Sequence, residues 1–178
     1  APAAIFVITN EDLRRSGATS IPERLRLVPG LSVARSGASQ WAISSRGFSD
    51  HFSNKLLVLI DGRSVYSPIF SGVWWDEQDT PLEDIERIEV IRGPGATLWG
   101  ANAVNGVINI ITKNAKDTHG AMVSASGGIN EHESGTIRYG AQLDDDTHMR
   151  VYGKYNNRAA LADANDVGSA HNQWNMGR

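Results

Sequence analysis

The feature that most constrains the fold is a pair of strand-like segments separated by a glycine-rich break. Asp84–Arg92 is rich in isoleucine and charged residues, Gly93-Pro94-Gly95 interrupts it, and Asn105-Gly106 introduces a second strand that ends at Thr112. Proline lacks a backbone donor and glycine adopts turn conformations freely, so the interruption must be a loop. The sequence therefore predicts two strands with a structured loop between them.

Short helices and strands are predicted upstream of this pair. Thr9–Asp12 and Ser20–Glu23 resemble capping boxes that open helices. The second helix presents one apolar stripe, formed by Ile21, Leu25 and Val28. Strands are predicted at Ile5–Thr9, Leu31–Arg35, Trp41–Arg46 and Lys55–Ile60, and Asp61-Gly62 joins the last of these to a hairpin partner at Arg63–Tyr66. Residues 1–115 are therefore expected to fold as one compact α+β domain.

The composition changes after Lys113, where three runs of about ten residues alternate between polar and apolar side chains. The runs are Ala121–Ile129, Ser134–Leu143 and His148–Asn156, with a polar turn at Asp144–Thr147 and a predicted long loop at Ala159–Arg178. Such alternation is typical of transmembrane β-barrel strands, but it also fits an ordinary antiparallel sheet with one buried face. On these strands alone, the ordinary sheet is the simpler interpretation.

Composition and charge exclude several classes of protein. The 178 residues include 17 basic and 20 acidic side chains, for a net charge of −3, and neither half is polarised, so we expect no nucleic-acid partner. Without cysteine there are no disulfides and no thiolate sites. The longest aliphatic run, Leu56–Ile60, is far shorter than the roughly 20 residues of a membrane-spanning helix. Ala1-Pro2-Ala3-Ala4 lacks the features of a signal peptide.

Motifs for catalysis, cofactors and metals are missing from the sequence. There is no Gly-x-Ser-x-Gly elbow and no Gly-Lys-Ser/Thr phosphate loop. Gly93-Pro94-Gly95 lacks the third glycine of a dinucleotide loop, and its proline removes an amide that a phosphate would bind. The histidines are not spaced as metal ligands, and Asp163–Gly168 lacks ligands that a calcium loop requires. We therefore expect no enzyme, no cofactor and no metal site.

One loop is unusually rich in large apolar side chains. Ser67–Asp79 contains Phe70, Val73, Trp74 and Trp75 without the period of a helix or a strand. A loop of this composition is either packed into a core or exposed to bind a ligand.

The segment Ile85–Lys113 resembles the plug of TonB-dependent outer-membrane receptors. The resemblance rests on the Arg92-Gly93-Pro94 break, the Trp99-Gly100 step and the strand Gly106–Ile111, in the order that the family shows. Family features upstream are Ser45-Arg46-Gly47-Phe48, Val58–Tyr66, and a helix that ends in Pro29-Gly30-Leu31. The resemblance covers residues 4–113.

This resemblance implies an architecture in two parts. Residues 1–115 would be a plug with a small mixed β-sheet and short helices. Residues 116–178 would be the first antiparallel strands and a loop of an incomplete transmembrane β-barrel, which in the family has about 22 strands. The family's energy-coupling box lies upstream of the plug, and nothing in Ala1–Ile5 resembles it. We therefore expect a fragment that lacks both the coupling segment and the pore wall.

The resemblance also implies a function in transport. The plug would act as gate and ligand platform for energy-coupled uptake of a large, scarce ligand, such as a ferric siderophore, haem or cobalamin. The receptor would lie in the outer membrane of a Gram-negative bacterium, and the TonB energy-coupling protein would reach the plug from the periplasm. Such transport makes and breaks no bond, so it needs no catalytic residue.

Two sets of site residues follow from the resemblance. Ligand contacts are expected in three loops, at Phe48, Ser49, Asp50, Phe70, Ser71, Gly72, Val73, Trp74 and Trp99. Trp75 is less favoured, because adjacent side chains of an extended segment point in opposite directions. The alternative is that the tryptophans pack against the barrel wall. Charge pairs between plug and barrel are expected for Glu86, Arg87, Glu89 and Arg92.

Further expectations concern partners. The alternative to a receptor plug is a soluble interaction module that uses Ser67–Trp75 to bind a protein. The unclosed strands leave free edges and outward apolar faces, so the fragment is expected to form a homo-oligomer through residues 118–158. The polar linker Asn114–Gly120 would let these strands swing away from the plug.

Overall fold

The computed structural model describes residues 4–37, 40–45, 55–69, 72–78, 80–128, 131–158 and 174–177. The chain divides into two compact units. The first comprises Ala1–Ser36 and Gln40–Thr112, and the second comprises Gly37–Ser39 and Lys113–Arg178. The domain limit predicted at residue 115 stays a prediction, because compactness does not show that either part folds alone.

A five-stranded mixed sheet organises the first unit. The strands of this unit are β1 (Ala4–Thr9), β2 (Leu31–Arg35), β3 (Trp41–Ser45), β4 (Leu56–Ile60), β5 (Arg63–Ser64), β6 (Ile85–Arg92) and β7 (Gly106–Thr112). The sheet has the order β1-β6-β7-β4-β5, in which only β4 and β7 are parallel, and β2 and β3 form a separate antiparallel pair. These strands confirm the predicted α+β fold with a small mixed sheet.

The helices of the first unit are short. They are α1 (Asn10–Arg15), α2 (Ile21–Arg24) and α3 (Ala96–Trp99), with 3-10 turns at Leu25–Leu27 and Leu82–Asp84. Across the residues that the structure describes, no helix is long and apolar enough to cross a membrane.

The two predicted capping boxes have different outcomes. Thr9 caps α1 as predicted, because its hydroxyl accepts from the Asp12 amide while the Asp12 carboxylate accepts from the Thr9 amide. The box predicted at Ser20 is wrong, since the Ser20 hydroxyl is buried and makes no cap hydrogen bond. Glu23 instead accepts from the amide and the hydroxyl of Thr19, at 3.2 and 3.3 Å. The residue that bonds to the Glu23 carboxylate is therefore Thr19, one position before the predicted Ser20.

The main core of the first unit lies on one face of the sheet. Ile21, Leu25 and Val28 are all buried there, which confirms the apolar stripe. The core also contains Ile8, Leu13, Val58, Trp75, Ile85, Ile88, Val90, Ile108 and Ile110. A smaller apolar cluster, formed by Leu57, Leu59, Ala103 and Val107, covers part of the other face.

The predicted Asp61-Gly62 hairpin is confirmed between β4 and β5. Both turn residues have positive φ, at 48° and 77°, as the tightest hairpin turns require. Asp61 has a second role, because its carboxylate accepts from the amide and the hydroxyl of Thr112, each at 2.8 Å. The hairpin turn therefore holds the last residue of β7.

An antiparallel sheet forms the second unit. Its strands are β8 (Gly120–Ser126), β9 (Glu131–Asp144), β10 (Thr147–Arg158) and β11 (Trp174–Gly177), in the order β11-β10-β9-β8. The loop predicted at Ala159–Arg178 is wrong at its end, since β11 pairs with Tyr155–Arg158 of β10. Four residues are too few to show a strand period in sequence, and pairing along β10 makes this segment a strand. Residues 159–173 lie outside the described part.

The sheet of the second unit exposes its apolar face. Val123 and Ile137 are directly paired and 75% and 64% exposed, and Tyr139 and Val151 are paired beside them and 53% and 51% exposed. The opposite face is polar and partly buried: its buried residues are Thr136, Lys154, Asn156 and Arg158. A soluble sheet has the reverse arrangement, so the interpretation as an ordinary half-buried sheet is not supported.

Candidate functional site

Strand direction brings two predicted ligand loops to one end of the first unit's sheet. The N-terminal ends of β4 and β7 are neighbours, since Leu56 pairs with Gly106, and Gly106 also pairs with Arg92 at the C-terminal end of β6. The segment that leads into β4 and the loop Gly93–Asn105 between β6 and β7 therefore emerge together. We call this end of the sheet the apex end.

Asn105 forms hydrogen bonds with three separate segments at the apex end. Its amide donates to the Lys55 carbonyl at 2.8 Å, and its side-chain nitrogen donates to the Ser45 carbonyl at 3.4 Å. Its own carbonyl accepts from the Gly93 amide at 3.1 Å. Asn105 thus ties together the end of β3, the residue before β4 and the start of the β6–β7 loop. The local sequence at Asn105-Gly106 indicates only the start of a strand, and this role of Asn105 depends on residues far away in the chain.

The absence of a side chain at Gly106 lets the neighbouring strands approach closely at the apex end. A Cβ at this position would collide with the Ile91 carbonyl oxygen and approach the Leu56 side chain. Only glycine therefore lets β7 begin between β4 and β6.

Trp99 occupies the β6–β7 loop at the C-terminal end of α3. Its amide donates to the Gly95 carbonyl at 2.8 Å, and a Cβ at Gly95 would lie 3.2 Å from the Trp99 ring. The ring therefore rests against Gly95 and is 38% exposed, while its neighbour Leu98 is 87% exposed. The predicted contact Trp99 and the overlooked Leu98 both present apolar surface at the apex end.

The loop after β5 combines an exposed and a buried tryptophan. Trp74 is 45% exposed, whereas Trp75 is 8% exposed and belongs to the main core. The two tryptophans thus differ in exposure, and the ligand contact predicted at Trp74 stays a prediction. Gly72 is buried and Val73 packs against the core, and the ligand contacts predicted at these two residues stay predictions.

This loop runs toward the apex end. β5 is antiparallel to β4, and the Val65 amide donates to the Val58 carbonyl, so the chain continues toward the start of β4. Ser67 and Gly72 then form a bridge that closes the loop, and Ile69 between them is 94% exposed. The predicted contacts Phe48, Ser49, Asp50, Phe70 and Ser71 lie outside the described residues.

Three of the four predicted charge contacts form one cluster on β6. Arg87 donates from Nη1 to Glu86 at 2.6 Å and from Nε to Glu89 at 2.8 Å, and Glu89 also accepts from Asn109 on β7 at 3.2 Å. The hydrogen bond to Glu89 is the main reason why the pKa of Arg87 lies above its ordinary value. The three charged side chains remain 25–52% exposed, so they keep surface for other partners.

Arg92 makes a contact within its own unit. Its Nη1 donates to the Pro29 carbonyl at 2.5 Å, and the guanidinium lies where a Cβ of Gly30 would be, at 2.7 Å. Gly30 has a φ of +77°, which glycine adopts without strain. Arg92 therefore fastens β6 to the turn before β2, and its contact with a barrel stays a prediction.

The described residues hold no group of three or more side chains that could bind a metal ion together. The site is instead an arrangement of exposed apolar loops above a rigid sheet, with a charge cluster on β6. Such a surface can bind a large ligand.

Comparison with known proteins agrees with this geometry. Residues 1–107 match the family model TonB-dependent Receptor Plug Domain. The siderophore receptor PirA from Acinetobacter baumannii is 28% identical with a TM-score of 0.63, over 88% of this chain and 25% of that one. The ferric enterobactin receptor PfeA from Pseudomonas aeruginosa is 26% identical with a TM-score of 0.62, over 90% of this chain and 25% of that one.

A third solved structure shares the fold. The ferric yersiniabactin uptake receptor FyuA from Yersinia pestis is 24% identical with a TM-score of 0.62, over 87% of this chain and 23% of that one. The chain thus spans about a quarter of the length of the receptors it matches. The family model ends at residue 107, within β7 of the first unit, and the structural matches extend into the second unit. This chain belongs to the TonB-dependent receptor plug family.

Proposed function

We propose that this chain is the plug and the first barrel strands of an outer-membrane receptor, which takes up a ferric siderophore with energy supplied through TonB. The observation that carries the proposal is the inverted polarity of the sheet that follows the plug fold. An exposed face of Val123, Ile137, Tyr139 and Val151 suits lipid, and a polar opposite face suits a lumen.

The relatives support a proposal for the ligand class. PirA and PfeA, at 28% and 26% identity, are named as a siderophore receptor and a ferric enterobactin receptor. We therefore favour a ferric siderophore over haem and cobalamin for this chain. Iron would be cargo inside the chelate, so no metal ligand is required of the plug itself.

The exposed side chains of the apex end would form the ligand platform. Trp74 and Trp99 keep part of their rings in solvent, and Ile69 and Leu98 add aliphatic surface. Aromatic and aliphatic groups of this kind bind the apolar parts of a large chelate by stacking and area burial. Phe48, Ser49, Asp50, Phe70 and Ser71 remain proposed contacts from the same loops.

The charge cluster on β6 would help to hold the plug inside the completed barrel. Glu86, Arg87 and Glu89 already satisfy one another, so they can lose a barrel partner without leaving an isolated charge. Leaving a buried charge unpaired is strongly unfavourable, whereas exchanging partners is not. This property fits a plug that must be retained at rest and moved when TonB acts.

Binding and uptake by the full-length receptor test the proposal. Titration calorimetry with ferric siderophores, haem and cobalamin is expected to identify a siderophore as the tightest ligand, and uptake is expected to require energised TonB. Trp74→Ala and Trp99→Ala should each weaken binding by up to about tenfold, the contribution of an aromatic contact. Leu27→Ala is the matched control, because Leu27 is 44% exposed in the 3-10 turn after α2. Equal weakening by all three substitutions, or no binding of any chelate, would contradict the proposal.

A further inference from the structure

Residues 113–119, which overlap the predicted linker Asn114–Gly120, are bound to the strands of the second unit and are called the linker from here on. The Lys113 carbonyl accepts from Arg150 Nη1 of β10 at 3.0 Å. His119 Nε2 and His148 Nδ1 are 2.9 Å apart, with one nitrogen donating to the other, and their rings lie 4.9 Å apart between centroids. Both ends of the segment 113–119 are therefore attached to β10. The expectation that this segment lets the strands swing away from the plug stays a prediction.

Gly140 on β9 makes room for the linker. A Cβ at Gly140 would collide with the Thr118 carbonyl oxygen and would lie 3.2 Å from the His119 Cα. These are backbone atoms, which cannot move aside as a flexible side chain can. The linker thus lies directly against β9 at a position where only glycine fits.

The linker also has internal order. Residues Ala115–Thr118 form a 3-10 turn, which Asn114 caps by accepting from the Lys116 amide at 3.1 Å. Thr118 is 2% exposed, and its hydroxyl donates to the Ala115 carbonyl at 2.9 Å. A compact turn with satisfied hydrogen bonds moves as one piece.

The first unit holds the residue just before this segment. Thr112 is bound by both oxygens of the Asp61 carboxylate, at 2.8 Å each. Consecutive residues, Thr112 and Lys113, are therefore fastened to different units. Asp61 holds Thr112 and Arg150 holds Lys113, so only the covalent backbone connects these two attachment points.

We propose that residues 113–119 stay bound to β9 and β10 when the plug moves, so that the movement is taken up at the Thr112–Lys113 joint. Gly140 and Arg150 are then positioning residues, because they confine the movement to the bonds between Thr112 and Lys113. This role in movement rests on the proposed function, whereas the attachment of the linker does not. When residues 113–119 stay bound, a pull on the plug acts directly on the Thr112–Lys113 joint. If residues 113–119 came loose from β9 and β10, the pull would instead extend this segment.

Limited proteolysis of the full-length receptor in detergent tests the attachment. Trypsin cleaves after Lys113 and Lys116, and an attached linker must open before it is cut. Gly140→Ala and Arg150→Met should each raise the cleavage rate at these sites by about tenfold, as expected for a disrupted close contact. Gly135→Ala is the matched control on β9, because its Cβ would meet only the Ser124 carbonyl, at 4.0 Å. Arg150→Met keeps the test valid if Gly140→Ala prevents β9 from folding.

Uptake by the full-length receptor tests the joint. Gly140→Ala and Arg150→Met are expected to reduce energised uptake at least about tenfold while ligand affinity is unchanged, and Gly135→Ala should alter neither. Equal cleavage rates in all variants would overturn the attachment. Faster cleavage with unchanged uptake would overturn the role of the joint. Failure of the parent receptor to take up any chelate would count against the proposed function and the joint, while the proteolysis result stands by itself.

Discussion

The two units treat their apolar side chains in opposite ways. In the first unit, Ile88 and Ile108 on neighbouring strands have no exposed surface. In the second unit, Val123 and Ile137 on neighbouring strands are 75% and 64% exposed, while Lys154 and Arg158 are buried. Both units are built from β-strands, so strand content alone does not explain the difference.

The difference shows which surroundings each sheet is built for. Water favours a sheet that buries apolar surface, at roughly 25 cal/mol per Å2 of buried area. A sheet that exposes apolar side chains is favoured only where the surroundings are themselves apolar, as in a bilayer or against another chain. We therefore expect the first unit to be stable in water and the second to need further contacts.

The largest expected effect is on independent folding. A protein ending at residue 115 should keep a cooperative thermal transition in water, because the main core lies entirely within the first unit. Residues 116–178 alone should show no such transition. Circular dichroism of the two pieces measures both. A non-cooperative first piece, or a cooperative second one, would show that the comparison between the units is wrong.

Self-association is the next largest expected effect. β8 and β11 are the outer strands of the second sheet, and its apolar face is exposed, so the 178-residue chain should associate at micromolar concentration. The protein ending at residue 115 should remain monomeric. Ile137→Lys with Val151→Lys places charges on the apolar face and should reduce association, as light scattering can show. Monomers of the full chain at micromolar concentration would refute the prediction.

Matched truncations compare the two kinds of isoleucine. Ile88→Ala should lower the free energy of unfolding by roughly 2–5 kcal/mol, because it leaves a cavity in the core. Ile137→Ala should change it in water by no more than about 0.5 kcal/mol, as for an exposed site. Urea denaturation followed by circular dichroism measures both changes. Similar losses from the two substitutions would mean that the second sheet also buries a core in water.

The smallest expected effect concerns the cap of α1. Hydrogen bonds from the hydroxyl and the amide of Thr9 lower the pKa of Asp12 below its ordinary value. The folded pKa lies below the unfolded one, so this contribution to stability is fully present above the unfolded pKa and is lost as the pH falls through the folded pKa.

Asp12→Asn should therefore reduce stability slightly at pH 7, and the difference from the parent should disappear at acidic pH. Denaturation midpoints at both pH values measure this change. Glu11→Gln is the control, because Glu11 lies in the same turn but makes no bond to Thr9. A difference that persists in acid would show that the charge of Asp12 is not responsible.

Much of the fold could be predicted because its signals are local. The Asp61-Gly62 turn, the Thr9 cap and the stripe of Ile21, Leu25 and Val28 depend on neighbouring residues or on a fixed period. The alternation in β9 and β10 likewise showed which side chains share a face. What alternation cannot show is which of the two faces is exposed.

The site was less predictable because its contacts join distant residues. Asn105 bonds to Ser45 and Lys55, and Arg92 bonds to Pro29. The partners in each pair are at least fifty positions apart in the sequence. His119 and His148 are scattered in sequence and meet only through the pairing of the second sheet. β11 was missed for the same reason, since it depends on pairing along β10.

The sequence by itself determined the main strands of the plug, the Asp61-Gly62 turn and the family to which the chain belongs. These follow from local backbone preferences and from an ordered set of motifs, neither of which needs distant contacts. Only the tertiary structure decided that Trp74 is exposed while Trp75 is buried, and that residues 113–119 are bound rather than free. The physical reason is that burial and close approach depend on what packs against a residue, and at Gly140 that neighbour is the backbone of Thr118, whose contact no local pattern specifies.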